Sequence, residues 1–237
     1  MKLTTIFFDL DGTLLPMDQD AFTADYFKRL AIKLAPLGYE SKSLFDALWK
    51  GVAAMVKNDG SCLNFEAFWN CFAGILGEHV RKDEPTFAEF YRTDFQNVQH
   101  SCGYNPAANE CVQKLKAMGY RLVLATNPLF PATATESRIR WAGLNKDDFE
   151  LYTTYENSCH CKPNPDYYRD ILARIGCDPA ECLMVGNDAH EDMIAETLGM
   201  RVFLLTDCLL NRKEADISRY PQGSFGELMA YIETQRV

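Results

Sequence analysis

The sequence is short of the residues that mark extended or fibrous chains, with 14 glycines and 10 prolines among 237 residues. It has no apolar run near the ~18 residues that a membrane-spanning helix needs, so no membrane partner is expected. Positive charge is scarce too. Lys and Arg number 24 against 33 Asp and Glu, for a formal net charge of -9. A nucleic-acid surface needs clustered Lys and Arg, so nucleic acid is excluded as a partner. Any anion this chain binds must meet local positive charge: a cation, one lysine, or backbone N–H groups. There is no disulfide framework either. The nine cysteines are odd in number, and Cys71, Cys111 and Cys182 sit inside apolar periodic stretches, as reduced core thiols do. Cys159-His160-Cys161 has metal-binding residue types. A closed zinc site needs a fourth ligand, and no second spaced pair supplies it. Near the N-terminus, Lys2, Asp9 and Asp11 flank a short apolar stretch. The uncharged core and cleavage site of a signal peptide are missing, so a cytoplasmic location is expected.

What is present is ordinary folding composition, 47% hydrophobic and 24% charged. At ~150 residues per domain, the length suggests one domain and a half. Leu3 to Phe8 is a short run of β-branched and aromatic residues, the signature of a strand buried on both faces in a parallel sheet. Similar runs recur at Arg121 to Ala125, Phe149 to Thr153, Cys182 to Val185 and Arg201 to Leu205. Helical patterns lie between them. Asn109 to Met118, Asp166 to Ile175 and Asp192 to Leu198 each end at a glycine, a C-cap signal. Strand, helix and glycine in repetition predict an α/β fold with a doubly wound, mainly parallel, Rossmann-like core.

The interval 17–103 breaks this rhythm. Asp20 to Leu37, Ser43 to Lys57, Asn64 to Leu76 and Thr86 to His100 all show helical spacing of large apolar residues. Asp20, Ser43, Asn64 and Thr86 are the expected N-caps. Its aromatic residues, Trp49 among them, are expected to be mostly core. The domain reading is therefore a core built from 1–16 and 104–237, with a helical insertion over 17–103.

Ligands of open α/β sheets bind at the carboxyl ends of the strands. Those ends carry Asp9-Leu10-Asp11-Gly12-Thr13, then Thr126-Asn127, then Lys162-Pro163, then Gly186-Asn187-Asp188 with Glu191 and Asp192 just beyond. Converging acids stay ionised together only beside a cation. Carboxylate oxygens without His or thiolate favour Mg²⁺, which in turn recruits phosphate oxygens. Asp9 and Asp188 are the natural metal ligands, and Thr126, Asn127 and Lys162 supply phosphate contacts. Asp9 and Asp11 stand two apart, a spacing that puts both side chains on one face of a continuing strand. The pair can divide labour, one attacking phosphorus and the other moving the proton. Each piece alone has a plainer reading as a turn, a surface lysine or a helix N-terminus. Their order along one alternating pattern lifts the set.

These residues resemble a family. Phe8 to Leu14 looks like the first motif of the haloacid dehalogenase-like hydrolases in its phosphatase form, and Thr126-Asn127, Lys162-Pro163 and Gly186 to Asp192 look like its second, third and fourth motifs. The resemblance spans roughly residues 3 to 206, and the helical insertion resembles the cap of the phosphoglycolate phosphatase-like branch. It implies that Asp9 is a nucleophile forming an aspartyl-phosphate. Asp11 would be the general acid/base, with its backbone carbonyl on Mg²⁺. Thr126 and the Asn127 backbone would bind phosphate, and Lys162 would hold Asp9 and the phosphoryl oxygens. Asp188 would ligate the metal. Asp192, chosen over Glu191 as the second acid, would be a further ligand or would orient Lys162.

The expected function is a Mg²⁺-dependent phosphatase acting on a small phosphorylated metabolite, as a monomer or homodimer. Asp11 argues against a dehalogenase, which needs no acid to protonate a halide. A phosphomutase shares Asp9 and Asp11. A phosphonate hydrolase would need a cap lysine, for which Lys28, Lys33, Lys50 and Lys57 are candidates. A non-catalytic phosphate-binding regulatory protein on the same fold is the rival of another class. The cap must choose the substrate, which the sequence does not name.

Overall fold

A computed structural model describes residues 2–235. Strands β1 (Thr5–Phe8), β2 (Arg121–Leu124), β3 (Leu151–Tyr152), β4 (Cys182–Gly186), β5 (Arg201–Leu205) and β6 (Gln222–Gly223) form one sheet in the order β3-β2-β1-β4-β5-β6. Every pairing is parallel. The apolar runs that predicted β1, β2, β4 and β5 are strands buried on both faces. Alternate residues feed separate cores. Ile6, Phe8, Leu124 and Val185 belong to one, and Phe7, Val123, Met184 and Tyr168 to the other. The third predicted strand shortens to two residues, and β6 has no strong apolar run behind it.

β1 is central. Its last residue, Phe8, pairs with Leu124 of β2 and Val185 of β4. The chain therefore leaves these strands at one end of the sheet and at one level. Strand order runs outward to β3 on one side and to β6 on the other, so this is the switch point where such sheets bind ligands.

Helices α1 (Gln19–Leu34), α2 (Ser41–Val56), α3 (Asn64–Leu76) and α4 (Glu84–Arg92) lie between β1 and β2. α5 (Pro106–Ala117), α6 (Ala132–Trp141), α7 (Pro165–Ile175) and α8 (Phe225–Thr234) complete the fold. Several expectations shift. The caps fall earlier, at Asp18, Glu40, Leu63 and Asp83, because the first suitable side chain or turn wins. Asp18, for example, accepts from the N–H groups of Asp20 and Ala21. The single helix expected over Thr86 to His100 is broken at Thr93, whose hydroxyl bonds the Glu89 carbonyl 2.8 Å away, and a 3₁₀ helix follows at Asp94–Ser101. Asp192 to Leu198 also tightens to a 3₁₀ helix, Met193–Leu198, ended by left-handed Gly199. Trp49 is not core; it is 53% exposed.

Besides the ring contacts of Phe22 and Tyr26 with Phe130 and of Phe95 with Trp141, the α1–α4 segment meets the sheet-bearing part along two backbone seams. At the first, its entry and exit strands run side by side: Met17 bridges Cys102 antiparallel, and Gly103 donates to the Pro16 carbonyl at 2.7 Å. At the second, the N–H groups of Asn64 and Phe65 donate to the carbonyls of Ser158 and Tyr155, each at 2.8 Å. Asn64 itself is fully buried, and its amide reaches the Cys161 thiol at 3.2 Å. All nine cysteines are thiols. Among the described residues no helix is long and apolar enough to cross a membrane.

Candidate active site

Asp9 follows directly on β1 and is held there by its N–H bond to the Val185 carbonyl of β4, 2.9 Å. β1 ends at Phe8, so Asp9 and Asp11 are not on a continuing strand, as the spacing had suggested. A turn carries the chain on, and both carboxylates still line one cavity of about 260 Å³ with Thr126, Asn127, Asp188 and Glu191. Gly12 makes this turn with φ +82°, and a Cβ there would run into the Asn187 amide. Only glycine combines that conformation with so close an approach. Asn187 is in turn gripped by Thr13, whose hydroxyl donates to its Oδ1 at 2.9 Å.

Lys162 is 1% exposed and reaches the site from behind Asp9. Its Nζ donates to Asp9 Oδ1 at 2.9 Å and to Asp192 Oδ1 at 2.6 Å. The other Asp192 oxygen accepts the Asp188 N–H at 2.9 Å. Burial works against the ammonium, but Asp192 and Asp9 outweigh it, and Lys162 stays protonated well above its ordinary pKa. Burial likewise pushes the Asp192 carboxyl up, with Lys162 opposing. One buried cation thus serves two anions, and removal of Lys162 would leave both carboxylates without a counter-charge. Of the two roles open to Asp192, this geometry fits orientation of Lys162. Both of its oxygens accept from protein donors, Lys162 Nζ and the Asp188 N–H. Glu191 parts company with it, accepting from Asn127 Nδ2 at 2.9 Å. Burial lifts its pKa to about 7, with Lys162 opposing.

Asp11 is paired with a residue that the sequence did not point to. Arg138 of α6, with no exposed surface, donates from Nη1 to Asp11 Oδ2. Its guanidinium also lies 4.4 Å from the centre of the Phe130 ring, a cation–π contact. Asp11 Oδ1 has no hydrogen-bond partner among the described residues. Burial raises the Asp11 pKa, and the Asp9 charge adds to this against the pull of Arg138. A carboxyl so placed can hold a proton that an exposed one would lose.

Asp188 accepts the N–H groups of His190 and Glu191 on Oδ1, at 2.7 and 2.9 Å. Among the described residues no three His, Cys, Asp or Glu side chains group closely enough to hold a cation alone. The donor set nonetheless fits Mg²⁺, which takes one or two carboxylates and completes its shell with carbonyl, water and substrate oxygens. Asp9, Asp188 and the Asp11 backbone carbonyl would be those donors. Cys159-His160-Cys161 has other partners: His160 pairs with Asp170 at 2.7 Å, and Cys161 is buried against Asn64.

A family model described as haloacid dehalogenase-like hydrolase matches residues 3–195. The chain belongs to that family. As a haloacid dehalogenase-like hydrolase it is similar to the pyrophosphatase PpaX of Bacillus velezensis, 26% identical over 84% of this chain and 82% of the relative. It is also similar to the glyceraldehyde 3-phosphate phosphatase of Methanothermobacter thermautotrophicus, 26% identical over 90% of each chain. Among solved structures, a family phosphatase from Thermococcus onnurineus superposes with a TM-score of 0.61, at 20% identity, over 99% of this chain and 100% of the other. The fold is thus that of the family, as its motifs implied.

Proposed function

We propose that the chain hydrolyses a small phosphomonoester with Mg²⁺ bound. One observation carries this reading: Lys162 Nζ bonded to Asp9 Oδ1 at 2.9 Å, in a cavity that Asp11 and Asp188 also line. The phosphatase names of two relatives support it. Bound Mg²⁺, on Asp9, Asp188 and the Asp11 carbonyl, would supply Lewis-acid charge to the phosphoryl oxygens. An Asp9 carboxylate oxygen attacks phosphorus, and the bond from phosphorus to the ester oxygen breaks. Asp11 gives its proton to that departing oxygen, releasing an alcohol and leaving an aspartyl-phosphate. Asp11, now ionised, takes a proton from water as the water oxygen attacks phosphorus. Inorganic phosphate leaves and the Asp9 carboxylate returns. Lys162 fixes the Asp9 carboxylate and neutralises charge gathering on the phosphoryl group, while Thr126 and Asn127 orient it.

The test is p-nitrophenyl phosphate turnover with Mg²⁺, wild type against Asp9→Asn. Turnover in the wild type and none in the variant is expected. Equal turnover in both, or none in either across a broad phosphate panel, would sink the reading.

A further inference from the structure

A second cavity, of about 130 Å³, lies beside the first between α1–α4 and the loop after β2. Its walls are Tyr26, Phe27, Trp49, Trp69, Phe130 and Tyr155 with smaller neighbours including Thr23, Val52 and Leu129, and no ionisable carboxylate or ammonium group lines it. Two segments run from one cavity into the other. On α1, Gln19 lines the carboxylate cavity, while Thr23 and Tyr26 line the aromatic one. After β2, Thr126 and Asn127 line the first, while Leu129 and Phe130 line the second. Gln19, Thr23 and Tyr26 share one face of the helix, so the two spaces stand roughly 6–10 Å apart at 1.5 Å per residue. The aromatic space matches in size the engineered apolar cavity of ~150 Å³ that takes up benzene. Its wall also holds a buried donor whose protein neighbour, the Tyr155 hydroxyl, is poorly placed to accept from it. Trp69 Nε1 makes no hydrogen bond of good geometry among the described residues, although the indole is 2% exposed. An unmade bond at a buried donor is costly, and an acceptor on a ligand would remove that cost. Two other hydroxyls of the wall engage each other, Tyr26 Oη lying 2.8 Å from Tyr91 Oη.

We infer that this cavity receives the organic group of the substrate, and that the group is apolar and about the size of one aromatic ring. The inference rests on the phosphatase reading and deepens it. The substrate class is a phosphomonoester whose alcohol carries a ring, or a branched alkyl group of that size, one to three atoms from the ester oxygen. Free pyrophosphate and small polyol phosphates would leave the space unfilled.

The test compares kcat/KM for 2-phenylethyl phosphate, glycerol phosphate and pyrophosphate at saturating Mg²⁺. The first two are unactivated alkyl esters, so their ratio reports binding of the ring and not leaving-group chemistry. A ratio of at least ~10 in favour of the phenylethyl ester is expected, the range one well-fitted apolar group gives. Filling the space with Val52→Phe, or with Thr23→Leu should the first fail to fold, is expected to bring the ratio toward one through a raised KM for the phenylethyl ester. Equal turnover of the phenylethyl and glycerol esters by the wild type, or a ratio that survives in a folded variant, overturns the subsite alone. No turnover of any ester overturns the phosphatase reading and the subsite with it.

Discussion

The Arg138 guanidinium and the Asp11 carboxylate form an ion pair, Nη1 on Oδ2, with the arginine wholly inside the protein. Breaking a buried pair from one side strands a charge, at about 3–5 kcal/mol. Arg138→Met is expected to cost that much in urea unfolding at neutral pH. Combining it with Asp11→Asn is expected to cost clearly less than the sum of the single changes. Additive losses would mean that the two side chains do not sense each other.

Asp11→Asn keeps the shape of the side chain and removes the proton it moves. The expected loss in kcat is ~10²–10⁴, the usual worth of a positioned acid or base. Mg²⁺ affinity is expected to hold within a few fold, because the contact assigned to Asp11 is its backbone carbonyl. Titration of the metal into wild type and variant decides this, and loss of binding would move the carboxylate onto the metal.

Asp192 and Asp188 lie four residues apart yet are assigned different work, and substitution separates them. Asp188→Asn is expected to weaken Mg²⁺ binding at least tenfold. Asp192→Asn is expected to leave it closer to wild type while lowering kcat, because Lys162 loses the carboxylate charge that aims it from 2.6 Å away. Calorimetric metal binding set beside turnover gives both readouts. Equal weakening of metal binding in the two variants would place Asp192 in the metal shell.

Asp148 offers a pH test remote from the site. Burial works to raise its pKa, but the bond from Lys116 Nζ at 2.6 Å and that from the Asn145 N–H at 2.9 Å outweigh it, leaving it below 3.8. A carboxyl depressed by folding contributes stability above its unfolded pKa, and that contribution is lost as pH falls through the folded value. Asp148→Asn is therefore expected to lower Tm at pH 7, by about 1 kcal/mol of stability. The gap should narrow steadily as the pH is taken down through 3. Calorimetric melts across that range check it; a constant gap would assign the effect to packing.

How much of this was legible in the sequence depended on whether a residue's role was local. Asp9 and Asp188 follow strands whose apolar runs are continuous, so both the strand and the residue at its end could be read together. Arg138 could not be read. α6 buries Thr135, Ser137 and Arg138 alongside Ile139 and Trp141, so its inward face is mixed and gives no amphipathic period. The partner that makes a buried arginine tolerable lies 127 residues away. α8 is a different case: Ser224 and Glu227 form a capping box, a visible signal that the hydrophobic pattern alone passed over. The separation of Glu191 from Asp192 was hidden because adjacent residues point apart only once Asn127 and Lys162 are in place.

The two seams between α1–α4 and the sheet are unequal in kind. At Pro16–Gly103 and Met17–Cys102 the chain itself crosses twice, side by side, and a crossing of that sort can bend but not part. At Asn64–Ser158 and Phe65–Tyr155 the halves are joined by backbone hydrogen bonds and by the edge-on contact of the Phe65 and Tyr155 rings. Between the two seams lies a shared apolar core, with Phe22 and Tyr26 packed on Phe130 and Phe95 on Trp141. Swinging α1–α4 away from the sheet would therefore bare those rings to water as well as break the bonds at Asn64 and Phe65, so the two parts stand or fall as one body.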